Sequence, residues 1–185
     1  MAKAAKIAER IHPLAGRHAA GPNVQAVPAE AAYRLSLRAP AKSVAALSKA
    51  LGLTLPSKPK TSATKGSRAA LWLGPDEWLM IDTGKADPAS DLVNSRVLHS
   101  AVDISHRNTA VIISGAGAEA ALSAGCPQDL GLARFPVGAC SRTVFGKAEV
   151  VIWRTGKDEF RMECWRSFST YVFDFLDEAV RDANA

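Results

Sequence analysis

Alternation and helical spacing divide most of the chain into two similar runs of elements. Tyr33, Leu35 and Leu37 alternate with Arg34, Ser36 and Arg38. That period of two marks a half-buried strand, and Pro40 ends it. Val44, Leu47 and Leu51 then recur at helical spacing over residues 42–51, with Gly52 as the stop. Residues 69–73 and 77–81 flank Gly74, Pro75 and Asp76 and read as two strands joined by a turn. The order starts again at Thr109. Residues 111–113 form a short apolar strand and residues 116–124 an alanine-rich helix. Residues 141–145, 149–154 and 159–165 form a meander with turns at Gly146-Lys147 and Gly156-Lys157-Asp158. A final helix follows. Its apolar stripe is Phe168, Tyr171, Val172, Phe175, Leu176, Ala179 and Val180, opposite Asp174, Asp177, Glu178 and Arg181.

The two runs share a local echo. Gly74-Pro75-Asp76-Glu77-Trp78-Leu79-Met80 matches Gly156-Lys157-Asp158-Glu159-Phe160-Arg161-Met162, in each case a turn leading into a strand with an aromatic and then a methionine. The expected fold class is therefore α+β: two similar β-α-β-β(-β)-α halves, residues 33–104 and 105–185, with antiparallel sheets and helices packed on them. Together they make one globular domain, 33–185. Residues 1–32 carry Pro13, Pro22, Pro28, Gly16 and Gly21 among alanines, which predicts a short helix and then an irregular N-terminal arm without a core, available to a partner.

Composition narrows the setting. Of 185 residues, 48% are hydrophobic and 22% charged, as in ordinary globular proteins. A chain of this length buries roughly 70% of its unfolded surface, enough for one core. Residues 1–11 lack the apolar segment of a secretory signal, and the apolar runs fall short of a membrane span, so the expected location is cytoplasmic, with no membrane partner. Cys126, Cys140 and Cys164 are widely spaced and read as reduced thiols. Much of the net charge of +5 lies in Lys58, Lys60, Lys65 and Arg68. That stretch, 57–68, has no aromatic residue and reads as a solvated loop, not a nucleic-acid surface.

Candidate chemistry fails on context. Gly115-Ala116-Gly117-Ala118-Glu119-Ala120 fits a dinucleotide-binding turn, but no second parallel strand ending in an acid follows, so a tight strand-to-helix turn explains it better. Asp103, Ser105 and His106 suggest a hydrolase constellation. In an extended segment, however, His106 points away from the other two, which favours a polar strand end. His12, His18, His99 and His106 are scattered and propose no metal site. Asp174, Asp177, Glu178 and Asp182 are spaced as a solvated helix face. Trp72, Trp78, Trp153 and Trp165 all lie on predicted strands, where core packing is their commonest use and an interface anchor the second. No catalytic, cofactor-binding or metal-ligating residue is assigned.

Several stretches, in order and spacing, carry a family resemblance: residues 70–79, Val102-Asp103-Ile104-Ser105-His106-Arg107, Arg134-Phe135-Pro136-Val137-Gly138, Cys140-Ser141-Arg142-Thr143, residues 150–154 and Arg166-Ser167-Phe168. Together they resemble the γ subunit of heterotetrameric sarcosine oxidase over residues 30–183. The resemblance implies a bacterial, cytoplasmic complex with α, β and δ subunits. That complex converts sarcosine to glycine, hydrogen peroxide and 5,10-methylenetetrahydrofolate. FAD, FMN, NAD, zinc and tetrahydrofolate belong to the whole complex and none to this chain, which it implies is a noncatalytic structural subunit. It also implies a fold like the folate-binding domain of aminomethyltransferases. The K-G-C-Y-x-G-Q-E stretch of related folate-binding proteins is missing, so no folate site is carried over. The rival readings are a stand-alone folate-binding or folate-dependent aminomethyltransferase-like protein and an isolated protein-binding module.

Overall fold

The computed structural model of the chain describes residues 12–84 and 87–185. Among these residues eleven strands form two antiparallel sheets. One holds β3 (Tyr33–Arg38), β4 (Ser62–Lys65), β5 (Arg68–Gly74), β6 (Glu77–Asp82) and β7 (Ser100–Asp103), in the order β4-β5-β6-β3-β7. The other holds β1 (Ala19–Ala20), β2 (Gln25–Pro28), β8 (Asn108–Ser114), β9 (Cys140–Phe145), β10 (Ala148–Gly156) and β11 (Glu159–Trp165), in the order β1-β2-β8-β11-β10-β9.

The helices lie outside the sheets. On the first, α1 (Val44–Leu51) packs Leu47 and Leu51 against Leu35, Leu37, Trp78 and Met80. Gly52, left-handed at φ 65°, closes it: its N–H reaches Lys49 O while the N–H of Leu53 reaches Ser48 O, which satisfies two end carbonyls. On the second, α2 (Ala118–Ser123) and α3 (Ser169–Ala183) cover a larger core with Phe145, Phe160 and Met162. The inner faces of the two sheets meet through Leu71, Leu79 and Ile81 on one side and Cys140 and Val151 on the other, giving α/β/β/α layers.

The echo in sequence is an equivalence in structure. In both hairpins the register shifts at the same place, between Trp72 and Gly74 in β5–β6 and between Arg154 and Gly156 in β10–β11. With β3, β4, β5 and β6 set against β8, β9, β10 and β11, the two sheets also share one strand order.

Four expectations change. Residues 19–28 are not an irregular arm: they form β1 and β2, and β2 pairs with β8, so Leu14, Ala19, Val24 and Ala26 are core residues of the second sheet. Residues 1–11 of the predicted arm lie outside the described residues. Part of the 57–68 loop is β4, an edge strand whose short polar sequence suits an edge. The stripe of α3 is rotated: Phe173 is buried, while Tyr171 and Phe168 are exposed. Finally, the polar face of β3 turns toward the other sheet and buries Arg34.

Candidate functional site

The inner faces meet on apolar residues at one end and on charged ones at the other. Within β11, Phe160, Met162 and Cys164 enter the helix-side core, so alternation sends Arg161, Glu163 and Trp165 to the face turned toward β3. There the Glu163 carboxylate accepts from Arg34 Nε at 2.5 Å and from Arg161 Nε at 2.8 Å, with all three residues buried. Two guanidinium groups share one carboxylate, and Arg161 Nη2 is buried without a hydrogen-bond acceptor. Such a cluster fixes β3 against β11, because separating it strands buried charge.

Beside this cluster a cleft opens between the sheets, lined by Ser36, Glu77, Arg107, Arg142, Glu149 and Trp165, with a cavity volume of about 50 Å³. Arg142 closes on Glu77 across the sheets, which raises its already high pKa. Arg107 lies over the Trp165 ring at 5.0 Å from its centroid, and the Phe168 ring centroid lies 5.9 Å from that of Trp165.

A second cavity, about 120 Å³, lies between His12, Arg34, Ser105, Thr109 and Arg166. His12 Nδ1 accepts from the N–H of Leu14, so Nε2 carries the proton toward Thr109 Oγ1 at 3.1 Å. Burial, with Arg34 and Arg166 nearby, lowers the pKa of this histidine. A wider depression of about 330 Å³ lies near Gly52 and Gly66, but its ionic groups face each other: Arg68 Nε donates to Asp82 at 2.9 Å. Burial works against ionisation of Asp82, yet hydrogen bonds from Ser67, Gly84 and Arg68 outweigh it and hold the carboxyl below its ordinary range.

The sequence candidates resolve as follows. The amides of the Gly115–Gly117 turn are already used, Gly115 N–H on Asp158 O and Gly117 N–H on Asn23 O. A Cβ at Gly115, where φ is +118°, would stand 2.3 Å from Asn23 O. The glycines thus admit the 23–24 backbone, which Asn184 Oδ1 also holds through the N–H of Asn23 at 2.7 Å, and β8 has antiparallel neighbours on both sides. The glycines of this turn serve close packing against the 23–24 backbone.

Asp103 does meet Ser105, whose N–H donates to it at 2.8 Å, while the N–H of Arg34 donates to Ser105 Oγ at 2.8 Å. The pair ends β7 and ties it to β3. Among the described residues no group of three histidines, cysteines or acids is placed to hold a metal. Cys126, Cys140 and Cys164 are free and buried, and burial pushes the Cys140 and Cys164 thiols up to about 12. Of the four tryptophans, Trp78 is core, with its indole N–H on Pro56 O, and Trp153 donates to Ser62 Oγ. Trp72 is half-buried, while Trp165 is exposed at the cleft mouth. Sequence reasoning missed the Arg34–Glu163–Arg161 cluster and the Arg107–Trp165–Phe168 stack. Alternation puts Arg161 and Glu163 on one face, but which layer covers that face is not a local property.

Comparison with known proteins points one way. The model of the sarcosine oxidase gamma subunit family matches residues 36–182. The sarcosine oxidase subunit gamma of Corynebacterium sp. (strain P-1) is 32% identical over 143 residues, covering 75% of this chain and 70% of that one. That of Arthrobacter sp is 31% identical over 142 residues, with the same coverage. A chain of the heterotetrameric sarcosine oxidase from Corynebacterium sp. U-96, solved with pyrrole 2-carboxylate, superposes with a TM-score of 0.87 at 28% identity, over 95% of this chain and 97% of that one. The glycine cleavage system aminomethyltransferase T from Bartonella henselae superposes with a TM-score of 0.61 at 13% identity, over 86% of this chain and 49% of that one, a likeness of fold. The chain belongs to the sarcosine oxidase gamma subunit family.

Proposed function

We infer that this chain works as a structural, noncatalytic subunit inside a heterotetrameric, cytoplasmic sarcosine oxidase, beside α, β and δ chains. The reaction of that complex would be oxidative demethylation of sarcosine to glycine, hydrogen peroxide and 5,10-methylenetetrahydrofolate. FAD, FMN, NAD, zinc and tetrahydrofolate would be held by the other chains.

The observation that carries the reading is the match to a chain of the heterotetramer from Corynebacterium sp. U-96 over 97% of that chain's length. The interior adds support. The buried ionic groups Arg34, Arg161 and Glu163 bind one another, and Arg154 is tied to Glu119 and to the Leu130 and Lys157 carbonyls. The inter-sheet cleft, at about 50 Å³, is well below the roughly 300–1,000 Å³ of a small-molecule pocket.

Co-expression with the remaining sarcosine oxidase chains, followed by size exclusion and a peroxide assay, tests it. Co-elution is expected, with turnover by the assembly and none by this chain alone. Elution as a separate species in the presence of the other chains overturns the reading.

A further inference from the structure

The cleft mouth carries an apolar and cationic surface that the described residues leave uncovered. Trp165 is 39% exposed, Phe168 43% and Val102 53%. Val102 pairs across β7–β3 with Ser36, which lines the cleft, so cross-strand geometry puts Val102 on the cleft side of its sheet. Trp165 comes from the end of β11 in the other sheet and Phe168 from the turn before α3, while Arg107 sits on the link between sheets. The patch therefore spans both halves of the molecule. It is tied down as well: the N–H of Arg166 donates to Arg107 O at 2.7 Å, the N–H of Arg107 to Ile104 O at 3.0 Å, and the Arg107 guanidinium lies over the Trp165 ring.

Charge defines the occupant. Arg107 Nε donates to Asn108 Oδ1 at 3.2 Å, but among the described residues no carboxylate lies within ion-pair distance of its guanidinium. This contrasts with Arg34, Arg38, Arg68, Arg142, Arg154 and Arg161, each of which meets an acid. A guanidinium ordered on an indole with its outer N–H groups free is a receptor for a planar carboxylate. Tryptophan and arginine together, rimmed by apolar residues, form the kind of centre on which protein interfaces concentrate their affinity.

We propose that the Arg107–Trp165–Phe168 surface is the docking site for a partner oxidase subunit, through a segment that sets an Asp or Glu carboxylate on Arg107 and an apolar side chain on Trp165 and Phe168. The proposal rests on the subunit reading above. It commits to a protein partner and not a small ligand, because the cleft behind the patch is too shallow to enclose one.

The test uses the co-expressed complex with R107E, R107K and W165A, and with V137A as an exposed apolar control on the loop before β9. Thermal melting of each full chain alone establishes that it folds. R107E and W165A are expected to weaken assembly at least tenfold, with R107K intermediate because it keeps charge but loses the planar fork, and V137A is expected to leave it unchanged. Trp165 fluorescence should shift to the blue on assembly, and the R107E loss should shrink at high salt as screening removes the repulsion. Normal assembly of folded R107E and W165A overturns the docking site and leaves the subunit reading intact. Failure of the unmodified chain to assemble overturns the subunit reading itself. Saturable quenching of Trp165 by tetrahydrofolate with the isolated chain, abolished in R107E, would assign the surface to a small ligand and also overturn the proposal.

Discussion

The run β3–β6 and the run β8–β11 lay their four strands in one order and turn their long hairpins on the same bulge, yet these two halves differ on the strand that faces inward. Counting from Gly74 and Gly156, Leu79 and Ile81 of β6 occupy the places of Arg161 and Glu163 of β11. The first pair meets Val151 and Cys140 in a dry contact, while the second holds Arg34 in a charged one. The same backbone thus supports two kinds of join. One is non-directional and tolerant of small changes in shape. The other fixes the relation of two strands through a carboxylate with two donors, at the cost of buried charge. The halves differ again after their fourth strand: the first continues into β7 beside β3, whereas the second continues into α3 and leaves the place beside β8 to β2 from the N-terminal segment.

The largest expected effect comes from breaking the charged join. Replacing Glu163 by Ala leaves Arg34 and Arg161 buried against each other, with a predicted loss of about 3–5 kcal/mol in urea unfolding. Ile81→Val, at the equivalent place in the dry join, should cost only about 0.5–1.5 kcal/mol. A triple replacement of Arg34, Arg161 and Glu163 by apolar residues of similar volume should recover most of the loss. If it is no more stable than E163A, the cluster contributes more than charge balance.

A smaller effect is predicted at the junction of β2 with the second half. Gly115→Ala meets both a left-handed φ and the Asn23 carbonyl, and should cost at least about 1–3 kcal/mol and raise amide exchange across residues 19–28. Gly66→Ala, at φ +60° with open space around it, should lose less and leave that exchange unchanged. Equal losses at the two positions would mean that close approach of the N-terminal strands is not what Gly115 provides.

The smallest effect concerns the thiols, one on each side of the second sheet: Cys140 faces the inter-sheet contact and Cys164 the helix side. Both are raised from 9.0 to about 12 by burial. The folded state therefore keeps its protons while the unfolded chain loses them. The contribution to stability is full below pH 9 and declines between pH 9 and about 12, as urea midpoints across that range would register. Native protein should label slowly with a thiol reagent at pH 8 and fast in urea. Rapid native labelling of Cys140 would mean that the two sheets part readily.

Local sequence determined the elements whose neighbours do not matter to the pattern. The alternation in Tyr33–Arg38, the spacing of Val44, Leu47 and Leu51 before a glycine that can turn left-handed, and the paired Gly-x-Asp-Glu turns each follow from backbone geometry and one buried face. The order of stretches across residues 30–183 also carried the family resemblance, which the match over 36–182 bears out. Tertiary structure decided the rest. Whether the polar residues of a strand meet water or a second sheet depends on what packs there, so Arg34 read as the polar face of a half-buried strand. Residues 19–28 are too short and too rich in proline and glycine to announce a strand, and become one because β8 presents an open edge. The stack of Arg107 on Trp165 joins residues 58 positions apart through the Asn108–Trp165 pairing of β8 and β11, a contact that only the folded register makes.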